Sequence, residues 1–334
     1  MLRYQFDTSL VRFLAIVLIT NSHLDLLYSD PRFATGGSLG NALFFALSGF
    51  GLALSSNKHL PKFGSWIGRR LLRIYPQVIV VLLVGGLITS TPSWWLLEEV
   101  IQQFIWPTPY WFVAAIVVFY APFYLVLRFV PAHIPILLAL SAIPYLWFYF
   151  TALELDRWAV EGEYFRWLFY FPMMLFGAYL ASTPALLEHK LRDAILLILI
   201  IASYFGLKVM LNRGLFGEWQ LILHLLTFPF VFYAFRLLAH PQVLAALKQW
   251  RLYFWIALLG ELSLEVYLVQ VYWIKALSSS GLVFPVGALL VWPLVFISAW
   301  ALSIVCRRFI GRFARQSIAG QAEISPELAS GEQT

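Results

Sequence analysis

Two ionisable side chains lie inside the first apolar segment of the chain, and chemistry could begin with them. Arg12 and His23 belong to this segment, which contains no other charged residue before Asp25. A charge in an apolar helix of bilayer length is costly unless it faces a protein interior or a water-filled cavity, so such residues indicate a functional site. Histidine, with an ordinary pKa of about 6.5, suits general-base work. We therefore predict that His23 is a general base.

The spacing of this pair predicts a shared groove. At about 100° and 1.5 Å per residue, eleven residues of regular helix return His23 to within about 20° of the face that carries Arg12. The same eleven residues place His23 about 16 Å further along the helix axis. Asp25 follows two residues later and points elsewhere on a regular helix.

The composition places these residues in a membrane protein. The 334 residues are 61% hydrophobic and 12% charged, with a mean hydropathy of +0.79. Soluble domains are about 45–50% apolar and about 25% charged, so the chain is predicted to be polytopic. Its one cysteine, Cys306, excludes an intramolecular disulfide and a thiolate cluster, and no metal site is predicted. The basic residues gather in short loops, as membrane topology requires, which argues against a nucleic-acid partner.

Ten apolar runs have the length of a membrane-spanning helix, which is about 17–25 residues. They are residues 9–28, 39–56, 72–90, 110–127, 134–152, 164–182, 193–211, 219–237, 253–275 and 284–305. We predict an all-α integral membrane bundle of about ten transmembrane helices with both termini cytoplasmic. In that arrangement sixteen lysines and arginines lie on the N-terminal side and six on the other, as the positive-inside rule expects.

Three further features complete the organisation. Residues 92–109 are predicted to form an amphipathic helix at the outer interface, with Trp106 among its anchors. Residues 1–310 are predicted to be one polytopic domain, and residues 311–334 a polar, disordered cytoplasmic tail. His224, in the eighth run, has no partner recognisable in the sequence, so we expect a packing or hydrogen-bonded histidine.

Short motifs in the second and third runs add candidate residues. Ser48 and Gly49 end the sequence FFALSG, where small side chains allow a helix or a ligand to approach the backbone closely. Arg69, Arg70 and Arg73 belong to RRLLRIYP, and their planar guanidinium groups suit bidentate contact with phosphate. Taken separately, the first motif is also typical of helix packing and the second of a basic cluster that fixes topology.

Together the motifs resemble the membrane-bound acyltransferase 3 family, whose members acylate polysaccharides and other glycans. The resemblance rests on the arginine eleven residues before a histidine in the first run, on FFALSG, and on RLLRIYP. It also rests on residues of the fourth run, namely Tyr110-Trp111-Phe112 and Phe119-Tyr120. It covers residues 1 to about 305.

This chain departs from the family pattern at two positions. The family often has an aspartate three residues before the first-run arginine, where Ser9 stands here with Asp7 as the nearest acid. The family also often has a histidine at the end of its ninth-run motif, where this chain has Gln270. The first-run histidine is kept.

The resemblance implies a reaction and its partners. Family members transfer an acyl group, most often acetyl and sometimes succinyl, from cytoplasmic acyl-coenzyme A to a hydroxyl of a polysaccharide or lipid-linked glycan. Acetyl-coenzyme A is then a donor substrate, and no tightly bound cofactor is expected. The implied partners are this donor, the glycan acceptor and membrane lipids, with a homodimer left open. A bacterial inner membrane is the implied location.

The resemblance also distributes roles among the candidates. Catalytic weight goes to the residues His23, Arg12, Ser48 and Glu265. Binding of the coenzyme A phosphates is assigned to Arg69, Arg70, Arg73 and Tyr75. Acceptor binding is assigned to Asp25 and Glu261 and to the aromatic residues Trp106, Tyr110 and Trp111, whose rings either stack on a sugar or anchor the chain at the membrane interface. The two glutamates are expected one helical turn apart in the ninth run, where one pairs with Arg12 or orients His23, or where both serve stability alone.

Two other functions fit parts of the pattern. In a secondary transporter, Arg12, His23 and Glu261 would form a proton or substrate relay. The sequence has no internal repeat and no pair of broken spans, which disfavours that function. A non-catalytic partner of a glycan synthesis or export complex would not require an irreplaceable His23. Dependence on acyl-coenzyme A separates the enzyme from both.

Overall fold

The computed structural model describes residues 7–56, 60–89, 110–155, 159–160, 162, 165–187 and 192–329, with side chains except at 86–89 and beyond 308. All regular elements of this part are helical. The helices are α1 Thr8–Ser22, α2 Gly37–Ser56, α3 Phe63–Thr89, α4 Trp111–Phe129, α5 Ile134–Leu140, α6 Ala142–Thr151, α7 Phe165–Ser182, α8 Arg192–Asn212, α9 Gln220–Ala239, α10 Pro241–Gln249, α11 Tyr253–Glu261, α12 Ser263–Ser279 and α13 Val286–Ala329. The predicted all-α class is confirmed.

Six helical segments of the described chain are long and apolar enough to cross a membrane, or seven if the bent pair α11 and α12 is one span. They are Pro31–Ser56, Trp111–Phe129, Pro131–Thr151, Arg192–Asn212, Gly217–Ala239 and Val286–Arg308. An integral membrane protein is therefore supported. The count of ten spans, the orientation of the termini, the domain boundary at residue 310 and the disorder of the tail stay predictions.

The first helix is shorter than its apolar run. Residues 9–28 were expected to form one span, but the regular helix ends one residue before His23, which caps it. The Asn21 side-chain amide donates to the carbonyl oxygen of Phe33 at 3.0 Å, and the Tyr28 hydroxyl donates to the Asn21 side-chain oxygen at 2.7 Å. These bonds fold the following loop back onto the helix end, which apolar periodicity does not reveal.

The ninth run is broken rather than continuous. Helices α11 and α12 meet at Leu262 with an angle of 82° between them. Glu261 ends α11 and Glu265 lies in the first turn of α12. The prediction that the two glutamates lie one turn apart on a single helix is therefore wrong. They reach the interior from two differently directed helices.

Helices α2 and α7 cross with their backbones in contact. A Cβ atom on Gly49 would overlap the carbonyl oxygen of Met174, and one on Gly177 would overlap that of Ala46. Small residues on both helices permit this approach, which is typical of membrane bundles. The packing interpretation of Gly49 is therefore confirmed, whereas its neighbour Ser48 faces the interior cavity described below.

Two buried polar contacts hold α9 in place. Its Arg236 donates to the carboxylate of Asp193 on α8 at 2.8 Å, and Asp193 is 1% exposed. His224 lies 2.8 Å through Nδ1 from the hydroxyl of Tyr145 on α6 and stacks on Phe169 at 3.8 Å between ring centroids. His224 is thus a hydrogen-bonded packing histidine, as expected, and Tyr145 is the partner that the sequence did not show.

The crossing of α2 and α7 generates the first prediction. Gly49→Ala should lower the free energy of unfolding by about 1–3 kcal/mol, because the methyl group forces the two backbones apart. Gly206→Ala on α8 is the control, since a Cβ there meets no atom within 4 Å. Thermal unfolding of the purified protein in detergent measures both. Equal melting temperatures for the two variants would contradict the close crossing.

Candidate functional site

A cavity of about 690 Å³ lies among seven helices, α1 to α4 and α11 to α13. Its polar lining includes Arg12, Ser48, Arg69, Arg70, Arg73, Gln77, Tyr120, Glu261, Glu265 and Arg307. The structure therefore brings together seven of the sequence-predicted site residues. They are Arg12, Ser48, Arg69, Arg70, Arg73, Glu261 and Glu265. The apolar part of the lining comes from the deeper turns of α1, α2, α4 and α12.

The cavity carries an excess of positive charge. Five arginines line it against two glutamates. In the part of the chain that the structure describes, none of these arginines makes an ion pair, and the ion pairs that do form lie elsewhere. Arg12 and Arg70 are partly buried, whereas Arg69, Arg73 and Arg307 are exposed, so a dissolved anion can reach these guanidinium groups, and phosphate accepts their bidentate hydrogen bonds.

Arg70 is the arginine whose orientation is best defined. Its Nη1 donates to the carbonyl oxygen of Trp66 at 2.7 Å, and the guanidinium carbon lies 3.7 Å from the Trp66 ring centroid. Trp66 is 1% exposed and is held edge-on by Tyr120 and Tyr124 at 5.7 and 5.2 Å. The cation-π contact and the hydrogen bond fix the guanidinium group before any ligand binds. Its Nε has no hydrogen-bond partner among the described residues.

Arg12 is positioned by the start of α1. Asp7 caps this helix by accepting from the Ser9 amide at 2.9 Å, and its other oxygen accepts from the Tyr253 hydroxyl. Arg12 interacts electrostatically with Arg73, Glu261 and Asp7. Glu261 therefore lies near Arg12, but the two do not form an ion pair, so the pairing of a glutamate with Arg12 that one of the expected arrangements required is not seen in the described chain. Asp7 takes up a structural role two residues before the position where the family often has its aspartate.

Glu265 is the buried carboxylate of the site. It is 7% exposed, accepts a hydrogen bond from Gln77, and interacts electrostatically with Arg73 and Arg307. Because an ionised carboxylate can only accept, the Gln77 amide nitrogen must face it. The Gln77 oxygen is left with no hydrogen-bond partner within the described chain. This network fixes Glu265 at the wall of the cavity.

Several predicted site residues lie outside this cavity. His23 and Asp25 are exposed beyond the end of α1. His23 follows Ile19, a lining residue, by four positions, so it lies about 6 Å further along the same helix face. Tyr75 is half-buried and does not line the cavity.

The aromatic residues assigned to the acceptor pack inside the protein. The Tyr110 hydroxyl donates to the carbonyl oxygen of Leu268 at 3.1 Å, and the Tyr110 side chain is 3% exposed. Trp111 lies under the guanidinium group of Arg166, 4.0 Å from it, and contacts Tyr170 at 5.5 Å between ring centroids. Neither lines the cavity, whereas Phe112 does. Trp106 lies outside the described residues.

Sequence reasoning missed three residues of the site. Arg307 had been counted only among the basic residues after the last run, and nothing in the sequence distinguishes it from its neighbour Arg308. Gln77 and Phe112 are uncharged and gave no signal of their own. Gln270, which replaces the family histidine, is 2% exposed and accepts a hydrogen bond from the Thr20 hydroxyl at 2.7 Å. That bond joins α12 to α1.

Comparison with known proteins gives one match. A family model described as an acyltransferase domain matches residues 6–308, nearly the whole chain. The matched range contains every residue that lines the cavity. No curated protein and no solved structure matches the chain.

The two adjacent arginines generate the prediction for this site. Arg307→Gln should weaken binding of inorganic pyrophosphate about fivefold, because one of five cations that face the ligand is removed. Arg308→Gln removes the same charge from the next residue, which is exposed outside the cavity, and should leave binding unchanged. The shift of the melting temperature with pyrophosphate concentration measures both. An equal loss in the two variants would mean that only net charge matters.

Proposed function

Because the chain belongs to the acyltransferase 3 family, we propose that it transfers an acyl group from acyl-coenzyme A to a hydroxyl of a polysaccharide or lipid-linked glycan. The observation that carries this proposal is the cavity lined by five arginines that make no ion pair with any described residue, within the range that matches the family. Coenzyme A supplies the anions that such a cavity lacks, since it bears a diphosphate and a 3′-phosphate. We take acetyl-coenzyme A as the donor.

The positions of the arginines suggest how the donor enters. Arg69, Arg70 and Arg73 lie in the first turns of α3, and Arg307 faces them from α13. In the proposed ten-span topology this end of the bundle is cytoplasmic, where acyl-coenzyme A is available, and the membrane is a bacterial inner membrane. The nucleotide phosphates would bind at this mouth, and the flexible pantetheine arm would carry the thioester inward.

The reaction requires a base and a site for the oxyanion. The acceptor hydroxyl gives its proton to an imidazole nitrogen of His23 while its oxygen attacks the thioester carbonyl carbon. The new C–O bond forms, the C–S bond breaks, and the coenzyme A sulfur leaves with the proton held by His23. The Ser48 hydroxyl, which lines the cavity one turn of α2 from Phe44, would donate to the tetrahedral oxyanion, whereas Arg12, about 16 Å from His23 along α1, would contact the donor nearer the mouth.

The position of His23 is compatible with an acceptor that arrives from outside the cavity. His23 is exposed and one helical turn beyond Ile19, which lines the deep end. An acceptor hydroxyl that meets the thioester there would have His23 beside it and Asp25 within reach of its sugar. One face of α1 thus carries Arg12 on the donor side and leads to His23 on the acceptor side.

One observation bears on the transporter alternative. The described chain contains one broken span, α11 with α12, and transporters built from inverted repeats place such breaks in corresponding positions of two halves. The bend here serves another purpose, because it delivers Glu261 and Glu265 to the arginine cavity. We therefore retain the acyltransferase as the single proposed function.

The test compares two histidines. His23→Ala should lower acetyl transfer from radiolabelled acetyl-coenzyme A to a glycan extract of the source cell by about 10²–10⁴-fold, the usual contribution of a general base. Coenzyme A binding should stay unchanged, because His23 does not line the cavity. His133→Ala, at an exposed position before α5, should keep full activity. Undiminished transfer by His23→Ala would exclude it as the base, and a wild-type protein without acyl-coenzyme A turnover would contradict the proposed function.

A further inference from the structure

A row of three aromatic rings forms part of the wall of the cavity. Phe44 of α2, Phe112 of α4 and Tyr267 of α12 all line the cavity. The ring centroids of Phe44 and Phe112 are 5.7 Å apart, and those of Phe112 and Tyr267 are also 5.7 Å apart. Phe112 is the central ring of this aromatic row, because it contacts both of the others.

The aromatic row is supported from behind. Phe45, which is completely buried, lies 4.7 Å from Phe112 between ring centroids and stacks on Tyr170 at 5.0 Å. Tyr110 lies 6.0 Å from Tyr267, edge to face, and is anchored by its hydrogen bond to the backbone of α12. Side chains packed at this density resist displacement, so the row is a fixed part of the cavity wall.

The row lies at the depth that the acyl end of a donor would reach. Tyr120 is one of the residues that interact electrostatically with Arg70, and it marks the level of the arginines on α4. Phe112 precedes Tyr120 by eight residues, which corresponds to about 12 Å along the helix. A donor whose phosphates bind the arginines would extend its pantetheine arm along this distance toward the rings.

The deep end offers no partner for a charged acyl group. Its other lining residues on α1 and α4 are Ile19, Val113 and Ile116, all aliphatic. Arg166 interacts electrostatically with Tyr267, but its guanidinium group is stacked on Trp111, outside the lining. A carboxylate at this end would lose hydration and would face no cation in the lining of the cavity next to the row, which is unfavourable.

We propose that the aromatic row of Phe44, Phe112 and Tyr267 selects the acyl group, admitting short uncharged chains such as acetyl and excluding longer chains and succinyl. This inference rests on the proposed function, because it requires acyl-coenzyme A in the cavity. Phe112 is the specificity-determining residue, since its removal opens space next to both neighbouring rings. The choice that the family leaves open between acetyl and succinyl is thereby made in favour of acetyl for this chain.

The experiment uses thioethers of coenzyme A, which bind but cannot be turned over. S-ethyl-, S-hexyl- and S-(3-carboxypropyl)-coenzyme A are titrated into the full-length protein, and their dissociation constants are compared. The wild type should bind the ethyl compound at least about tenfold more tightly than the other two, because hydrophobic pockets discriminate single methylene groups by about tenfold or more. In Phe112→Ala, the affinity for the hexyl compound should rise about tenfold relative to the affinity for the ethyl compound. The affinity for the carboxypropyl compound should stay low.

Two further variants distinguish an effect of the aromatic row on acyl selectivity from a general loosening of the helix packing. Phe123→Ala removes a completely buried ring from the same helix, outside the cavity, and should not change the ratio of hexyl to ethyl binding. Phe112→Leu, a smaller change that keeps the core filled, should shift the ratio in the same direction by less. A wild type that binds ethyl and hexyl compounds equally, or a ratio unmoved by both Phe112 variants, would overturn the row while leaving the donor site intact. A protein that binds none of the thioethers would overturn the donor site as well.

Discussion

The structure depends on the cost of placing positive charge inside a helical bundle. Five arginines line one cavity, and in the described chain their charge is opposed there by Glu261 and Glu265 alone. The guanidinium groups of Arg12 and Arg70 are partly buried and need water or an anion, and those of Arg69, Arg73 and Arg307 are exposed, so the cavity is open at its cationic mouth and suits a polyanion. The depth of the cavity, the bend between α11 and α12, and the buried support of Arg70 all serve this requirement.

The surrounding helices divide the site into regions of different chemistry. The α3 arginines and Arg307 form a cationic mouth, whereas Phe44, Phe112 and Tyr267 form an apolar end. Helix α1 runs past both regions. It carries Arg12 near the mouth, and His23 follows its last turn beyond the apolar end. The close crossing of α2 and α7 fixes the position of α2, which lines the cavity. Contact between the two backbones leaves little freedom for either helix to move.

Much of the site could be predicted because charge stands out in an apolar sequence. Arg12, Ser48, Arg70, Arg73 and both glutamates do line a common cavity. Helical periodicity also placed His23 in the same groove as Arg12, but α1 ends at Ser22 and His23 is exposed outside the cavity that Arg12 lines. Apolar runs do not show where a helix stops, so the end of α1 before His23 and the break at Leu262 were missed; both depend on contacts between distant residues.

Aromatic residues were the least predictable part of the site. Tyr110 and Trp111 were assigned to a sugar acceptor, but they pack on Leu268 and under Arg166. Phe112, next in the chain, faces the cavity instead. Adjacent helical positions point about 100° apart, so the sequence alone cannot say which member of such a group is exposed to a ligand. Arg307 was missed for a related reason, since only the packing of α13 separates it from Arg308.

The central claim is that the arginine-lined cavity holds acyl-coenzyme A, and filling the cavity tests it most directly. Gly51 lines the cavity, and a Cβ atom there meets no other atom within 4 Å, so Gly51→Leu can fold while its side chain occupies the donor space. Gly206→Leu, at an equally open position on α8, is the matched control. Isothermal titration of acetyl-coenzyme A should show binding to the wild type and the control and at least about tenfold weaker binding to Gly51→Leu. Undiminished binding to a folded Gly51→Leu protein would place the donor elsewhere and contradict the account.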